Sequence, residues 1–562
     1  MLVVRLRLST WPRDRSGSAE LAGYVLIALM VFGLRLLIEP GKHYFGFRAD
    51  PKSFIWCFGW WPFAILHGEN PFVSHLIWAP SGVNLTWTAS VPGLALLFAP
   101  LTLLVGPVAS YNVAATFLPA VAAWTCFLLC RHLTRRLGPS LVGGYLFGFS
   151  SYVLGQEEGH LNVSAVFLVP LIVLVIVRFV ESDLTARGLV LRLGPLCGLE
   201  VLISTEVSFT IALAVGLGIV LALALVPERR EALVRLLAPL AGASLFAALL
   251  TAPFVYYAVT GFRAGAFQPP EGYVTDVLNF VVPTKLSLAS LGWAASISDK
   301  FPGNSAERGG YLGVPSLLIV ALYARARARS PTGRFLLAAL AVAVVCSLGA
   351  QLTIEGRHII ALPWSAVGDW PVFDNVLAER LAMYVSLLAA VIVALWTAAR
   401  PPGVMRWLLP ALAVIAVIPN PAAGVWASRY AVPAFFTAST YRTCLDPNEI
   451  ILPLPVTTSG ESMLWQAVDG YRFRMAGGYI AATPPAAFLR PRDVALITAG
   501  HAIPARDSGV FAVYIRDKQV ASVVVDRRLG AFWEGALDRI AMPKVLGGVV
   551  LYHVAGKPAS CR

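Results

Sequence analysis

Asp50 is the first side chain along the sequence that is placed to do chemistry, a lone carboxylate in the run Arg48-Ala-Asp50-Pro51, just beyond a long apolar stretch. A carboxylate there can take the proton of an acceptor hydroxyl at a membrane surface, or hold a divalent cation beside a phosphate. Asp followed by Pro also suits the N-cap of a helix starting at Pro51, and residue chemistry alone leaves both readings standing. The second place is the turn Gln156-Glu157-Glu158-Gly159-His160-Leu161-Asn162, which sets two carboxylates, an imidazole and an amide between two apolar runs. Such polar density near a membrane face lines a water-filled cavity or site, or else forms a solvated connection between helices. Glu157 and Glu158 point in different directions on a helix, so at most one reaches a centre shared with Asp50.

Cations follow later in the chain. Arg308, in Glu307-Arg308-Gly-Gly-Tyr311, and Arg380, in Glu379-Arg380-Leu-Ala-Met-Tyr384, each stand at the entrance to an apolar run. A guanidinium at that depth can grip a phosphate through two parallel hydrogen bonds. Glu379 with Arg380 equally makes a local ion pair or an interface anchor. Glu200 and Glu206 lie within or at the end of an apolar helix, where a carboxylate either faces an aqueous interior or is kept protonated or hydrogen-bonded as a structural group.

The elements that must position these groups are dictated by composition. A chain that is 57% hydrophobic and 13% charged has more apolar surface than one water-soluble core can hide, so the bilayer is its main solvent. The net charge of +13 would suggest nucleic acid in a soluble protein, but here arginines cluster in short loops between apolar runs, so the charge records topology and no nucleic-acid partner is expected. The run Val91 to Val108 is interrupted at Pro92, Pro100 and Pro107. Reading it as re-entrant or surface-lying puts the later basic clusters on the same side as Arg5, Arg7, Arg13 and Arg15, with about eleven true spans. The expected fold is mostly α: a polytopic transmembrane helix bundle, a long first outer loop (Gly41 to Ser90) and a small C-terminal α/β extracytoplasmic domain. Residues 1–20 form a cytoplasmic N-terminus, 21–428 the transmembrane domain and 429–562 the outer domain. The aromatic run through Trp56, Trp60 and Trp61 suits helices lying at headgroup level.

From Arg429 onward, β-rich runs alternate with Pro/Gly turns and short helical stretches, as in a small mixed domain. Cys444 and Cys561 stand near its ends, where a disulfide would staple it shut, two free thiols being the alternative. The other five cysteines show no metal-ligand spacing.

Asp50-Pro51-Lys-Ser-Phe54 with Trp60-Trp61-Pro62, Gly68-Glu-Asn70-Pro71-Phe72, Pro80-Ser-Gly82-Val-Asn84, Gly159-His160-Leu-Asn162, and Phe373-Asp374 with Arg380 together resemble a bacterial branch of the GT-C superfamily of membrane glycosyltransferases. The resemblance covers about the first 400 residues, a family-scale transmembrane domain. It implies transfer of a sugar from a polyprenyl-phosphate carrier to a glycan, lipid or protein acceptor at the outer face of a bacterial inner membrane. Asp50 and Glu157 or Glu158 would be the catalytic acids. His160, Asn162, Arg308, Glu379 and Arg380 would contact substrate, and a divalent cation, Mg or Mn, would sit between Asp50 and Glu158. The turn Glu157-Glu158-Gly159-His160 departs from branches in which two acids are separated by one residue. A lipid or polysaccharide transporter, suggested by Glu200 and Glu206, and a non-catalytic envelope-assembly protein are the rival readings.

Overall fold

The computed structural model describes all residues except 1–15, 40, 48, 262–269, 371, 402, 439, 457, 459, 481–483, 499–500, 556–560 and 562. The arginines expected at the extreme N-terminus therefore lie outside the described residues. The chain is mostly helical, and five helices among the described residues are long and apolar enough to cross a membrane: Pro107–Thr134, Leu161–Val180, Thr205–Leu225, Pro227–Leu250 and Ala378–Ala399. Shorter apolar helices cover Gly17–Gly33, Pro331–Ser347 and Met405–Ala416. Several of the expected runs are thus shorter or broken, because polar or proline residues interrupt the hydrogen-bond ladder. The stretch expected not to cross is two helices, Pro92–Leu97 and Ala99–Val105, each far below the roughly 20 residues a bilayer requires.

Burial sorts the long helices. The apolar windows of Pro107–Thr134 and Ala378–Ala399 are 72% and 78% buried, which makes them the centre of the bundle. Those of Thr205–Leu225 and Pro227–Leu250 are 22% and 28% buried, leaving Leu217, Val220, Val234, Leu245 and Leu249 on the outside, where lipid is the natural solvent.

Beyond the bundle, a five-stranded mixed sheet runs in the order Pro543–Leu546, Val549–His553, Ser522–Asp526, Ile450–Leu454, Arg474–Met475. Strand Ile450–Leu454, one in from the edge strand Arg474–Met475, pairs parallel to both neighbours and is buried at every position, as an apolar run covered on both faces should be. A disulfide joins Cys444 to Cys561.

This C-terminal region packs on the long segment 41–90 that follows the first apolar helix. Helix Asp50–Leu66 is buried from Pro51 through Pro62, and Trp56, Trp60 and Trp61 are each no more than 2% exposed. The aromatics expected at headgroup level instead form a core between bundle and sheet. The Trp56 indole donates to Gln466 Oε1 (2.7 Å), and Tyr471 donates to the Trp56 carbonyl (2.6 Å), so each polar edge of the buried rings has a partner. The segment ahead of Asp50 is pinned as well, since strand His43–Phe45 pairs antiparallel with Ala427–Arg429 and the Asn112 side chain bridges Phe45 N and His43 O.

Candidate active site

Asp50 opens its helix, with Ala49 at the cap position. Its carboxylate makes no capping bond: Oδ1 accepts from the Tyr479 hydroxyl (2.7 Å) and Oδ2 lies 3.3 Å from His160 Nε2. The charge still gains from standing in a helical first turn. The turn carrying His160 is drawn against this helix by a backbone bond from Phe47 N to Glu158 O (2.6 Å). Gly46, at φ +90°, permits that approach, because a Cβ there would sit 2.9 Å from the Glu158 carbonyl oxygen.

His160 is read by its other nitrogen. Gln156 donates its amide to Glu307 Oε2 (2.9 Å) and the Ala306 carbonyl (3.2 Å), so its Oε1 accepts from His160 Nδ1 (2.8 Å). Nδ1 therefore carries a proton, and the contact of Nε2 with Asp50 needs a second one between them. The pair is an imidazolium facing a carboxylate. Burial opposes the charge on both. Hydrogen bonds and the neighbouring charges nonetheless hold Asp50 below its ordinary value and raise His160 above its own.

Glu307, in the turn Ser305–Glu307, is 1% exposed along its side chain and lies 3.4 Å from His160 Nδ1. Arg380 clasps it, with Nε at 3.1 and 3.3 Å from its two oxygens and Nη2 at 2.6 Å from Oε1, while Nη1 donates to Glu206. Burial favours the neutral acid, but the Arg380 and His160 charges outweigh it and bring the Glu307 carboxyl down to about 2. Asp50, His160, Glu307, Arg380 and Tyr479 line one cavity of about 510 Å³, with Ala49, Tyr273, Asn304, Leu377 and Thr458 completing the wall.

The remaining expected site residues do not converge there. Glu157 is buried with Oε1 unpartnered, and burial lifts its carboxyl to about 8 despite a hydrogen bond with Ser164, so it is a proton-bearing group in the protein interior. Glu158 accepts from Ser305 (2.6 Å), Asn162 lies half-buried on the one-turn helix Leu161–Ser164, and Glu379 accepts from the Gly309 amide (2.5 Å). Arg308 donates to the carbonyls of Asp299, Pro302 and Gly303. These engagements do not fit one ion shared by Asp50 and Glu158. Among the described residues, the group whose ligand atoms could meet on a metal is His132, Glu181 and Asp183. His132 lies some 20 residues beyond Asn112 on one helix, on the order of 30 Å from the site end.

Sequence reasoning missed Glu307 in favour of its neighbour Arg308, and missed Tyr479 altogether. The first was visible as an acid directly ahead of Arg308-Gly-Gly. The second, an isolated tyrosine more than 400 residues from Asp50, carries no local signal.

The fold is similar to that of GT-C glycosyltransferases of known structure. Over 92% of its length the chain is similar to 70% of the apo oligosaccharyltransferase of Archaeoglobus fulgidus, at 14% identity and a TM-score of 0.52. The same enzyme in complex with Zn and sulfate gives 15% identity over the same shares, with a TM-score of 0.51. A mutant form of the arabinofuranosyltransferase AftD from Mycobacteria matches 97% of this chain at 13% identity and a TM-score of 0.57, and the chain spans 42% of that longer protein. No curated protein matches by sequence. The chain itself belongs to the family described as a domain of unknown function (DUF6311), which matches residues 21–418.

Proposed function

We propose that this protein transfers a glycosyl group from a polyprenyl-phosphate carrier to an acceptor hydroxyl at the outer face of a bacterial inner membrane. The observation that carries the reading is the single cavity in which Asp50, paired to an imidazolium, faces Glu307 and Arg380. Four long helices support the sidedness. Each has a residue of the site or its scaffold at one end and arginine at or just past the other: Asn112 and Arg131, His160 and Arg178, Glu206 and Arg229, Arg380 and Arg400. The positive-inside rule then turns the cavity outward.

The step is a single displacement. Asp50 takes the proton of the acceptor hydroxyl as its oxygen bonds to the anomeric carbon, and the bond from that carbon to the phosphate oxygen breaks with its electron pair leaving on polyprenyl phosphate. The His160 imidazolium and the N–H groups of Arg380 not directed at Glu307 or Glu206 face the developing phosphate charge. Among the described residues Asp50 and Glu158 do not assemble a shared cation site, and the step is written with the chain's own groups.

The test is a strain lacking the gene, complemented with wild type, Asp50→Asn or Glu307→Gln at matched membrane levels, with envelope glycans and glycolipids compared by mass spectrometry. A product that disappears on deletion returns with wild type and stays absent with Asp50→Asn. Full product with Asp50→Asn overturns the reading.

A further inference from the structure

Tyr479 comes from the sheet region, more than 400 residues along the chain from Asp50, yet touches the first turn of the Asp50 helix twice. Its hydroxyl donates to Asp50 Oδ1 (2.7 Å), and its backbone carbonyl accepts from the Ser53 hydroxyl (2.6 Å). One turn onward the same face is held again by Trp56 on Gln466, and Lys52 Nζ donates to the Gly460 carbonyl (2.7 Å). Asp50, Ser53 and Trp56 follow one another at three-residue spacing, one stripe of the helix, with Lys52 beside it.

The chain is shaped to deliver this tyrosine. Strand Arg474–Met475 is followed, after Ala476, by Gly477-Gly478, where Trp78 N donates to the Gly477 carbonyl (2.9 Å). Gly478 adopts φ +153°, and a Cβ on Gly477 would sit 2.6 Å from Val456 Cγ1, so only glycines bring residue 479 back over the cavity.

Resting on the glycosyl-transfer reading, the geometry points to Tyr479 as the positioning residue for Asp50: its phenol fixes one carboxylate oxygen so that the other faces His160 and the reacting hydroxyl. The C-terminal region is therefore a working wall of the active site. A carboxylate with one oxygen tethered and the other held at a cation is locked in orientation, and a proton-accepting group that is misplaced by an ångström loses much of its effect. The tether acts on the chemical step and leaves donor binding, which depends on the carrier phosphate, unchanged.

The experiment uses the full-length protein in proteoliposomes, with the polyprenyl-phosphate sugar identified from the product lost on gene deletion. Tyr479→Phe should lower kcat about tenfold to a hundredfold, the worth of a hydrogen bond to a charged group, with KM for the donor within twofold. Tyr471→Phe removes a different phenol from the same helix, at the Trp56 carbonyl, and should leave kcat within twofold. A Tyr479→Phe enzyme with wild-type kcat, an effect confined to KM, or an equal kcat loss in Tyr471→Phe would each overturn the inference. These outcomes differ from failure of the underlying reading, which shows itself as activity surviving in Asp50→Asn.

Discussion

The ion pair between Arg380 and Glu307 offers the sharpest test of how the site is held together. Arg380 is 17% and Glu307 1% exposed along their side chains, and three donor contacts between 2.6 and 3.3 Å join them. Arg380→Met would leave Glu307 with only the more distant His160 charge (3.4 Å) and Glu206 without its cation. Removing one partner of a buried pair costs about 3–5 kcal/mol, because the other charge stays desolvated and unmatched. Glu307→Gln is milder, since Arg380 keeps Glu206 and the amide can still bond Gln156, and about 2 kcal/mol is expected. In the double variant Arg380→Met/Glu307→Gln no stranded charge remains at position 307, so its loss should fall short of the sum of the singles by about 2 kcal/mol. Thermal unfolding of the purified protein in one detergent at neutral pH reads this as a double variant no less stable than Arg380→Met alone. If the two losses simply add, the charges are not energetically coupled and the interlocked site described above is wrong.

Three further outcomes follow from the same geometry. Glu157 has its folded-state carboxyl raised to about 8 by burial, so the folded protein binds a proton there more tightly than the unfolded chain. That contribution is fully present below the unfolded value and is lost as pH rises toward about 8, so Glu157→Gln should abolish part of the alkaline loss of stability; an unchanged difference in melting temperature between pH 5 and pH 9 would argue against a buried neutral acid. Asp50 shifts the opposite way, and its contribution is lost as pH falls through its lowered value; Asp50→Asn should flatten the acid side of the stability profile, and an unaltered acid limb would show that the His160 pairing does not operate. The disulfide Cys444–Cys561 spans 117 residues, and chain-entropy reasoning assigns it about 4–5 kcal/mol. Reduction, or Cys444→Ser with Cys561→Ser, should make the sheet region protease-sensitive well before the bundle, whereas identical cleavage kinetics with and without reductant would remove the bridge from the account.

Composition, charge placement and proline positions made the membrane habit and mostly helical class legible, because solvation by lipid acts on every residue and leaves its mark throughout the chain. The same local logic flagged Asp50, His160 and Arg380, polar groups standing at the ends of apolar runs. It could not sort neighbours. Glu158 and His160 sit two residues apart in one turn, yet only the imidazole lines the cavity, and Glu307 rather than adjacent Arg308 enters it. Which of two neighbours faces inward depends on how the turn leans on other segments, here through Phe47 on Glu158 and Gln156 on Glu307. Nor could sequence show that Trp56, Trp60 and Trp61 are a buried core, since headgroup and protein interior both welcome aromatic rings with a polar edge. Tyr479 was invisible for the plainest reason: a hydrogen bond across 429 residues is made by tertiary packing alone, and nothing near either partner records it.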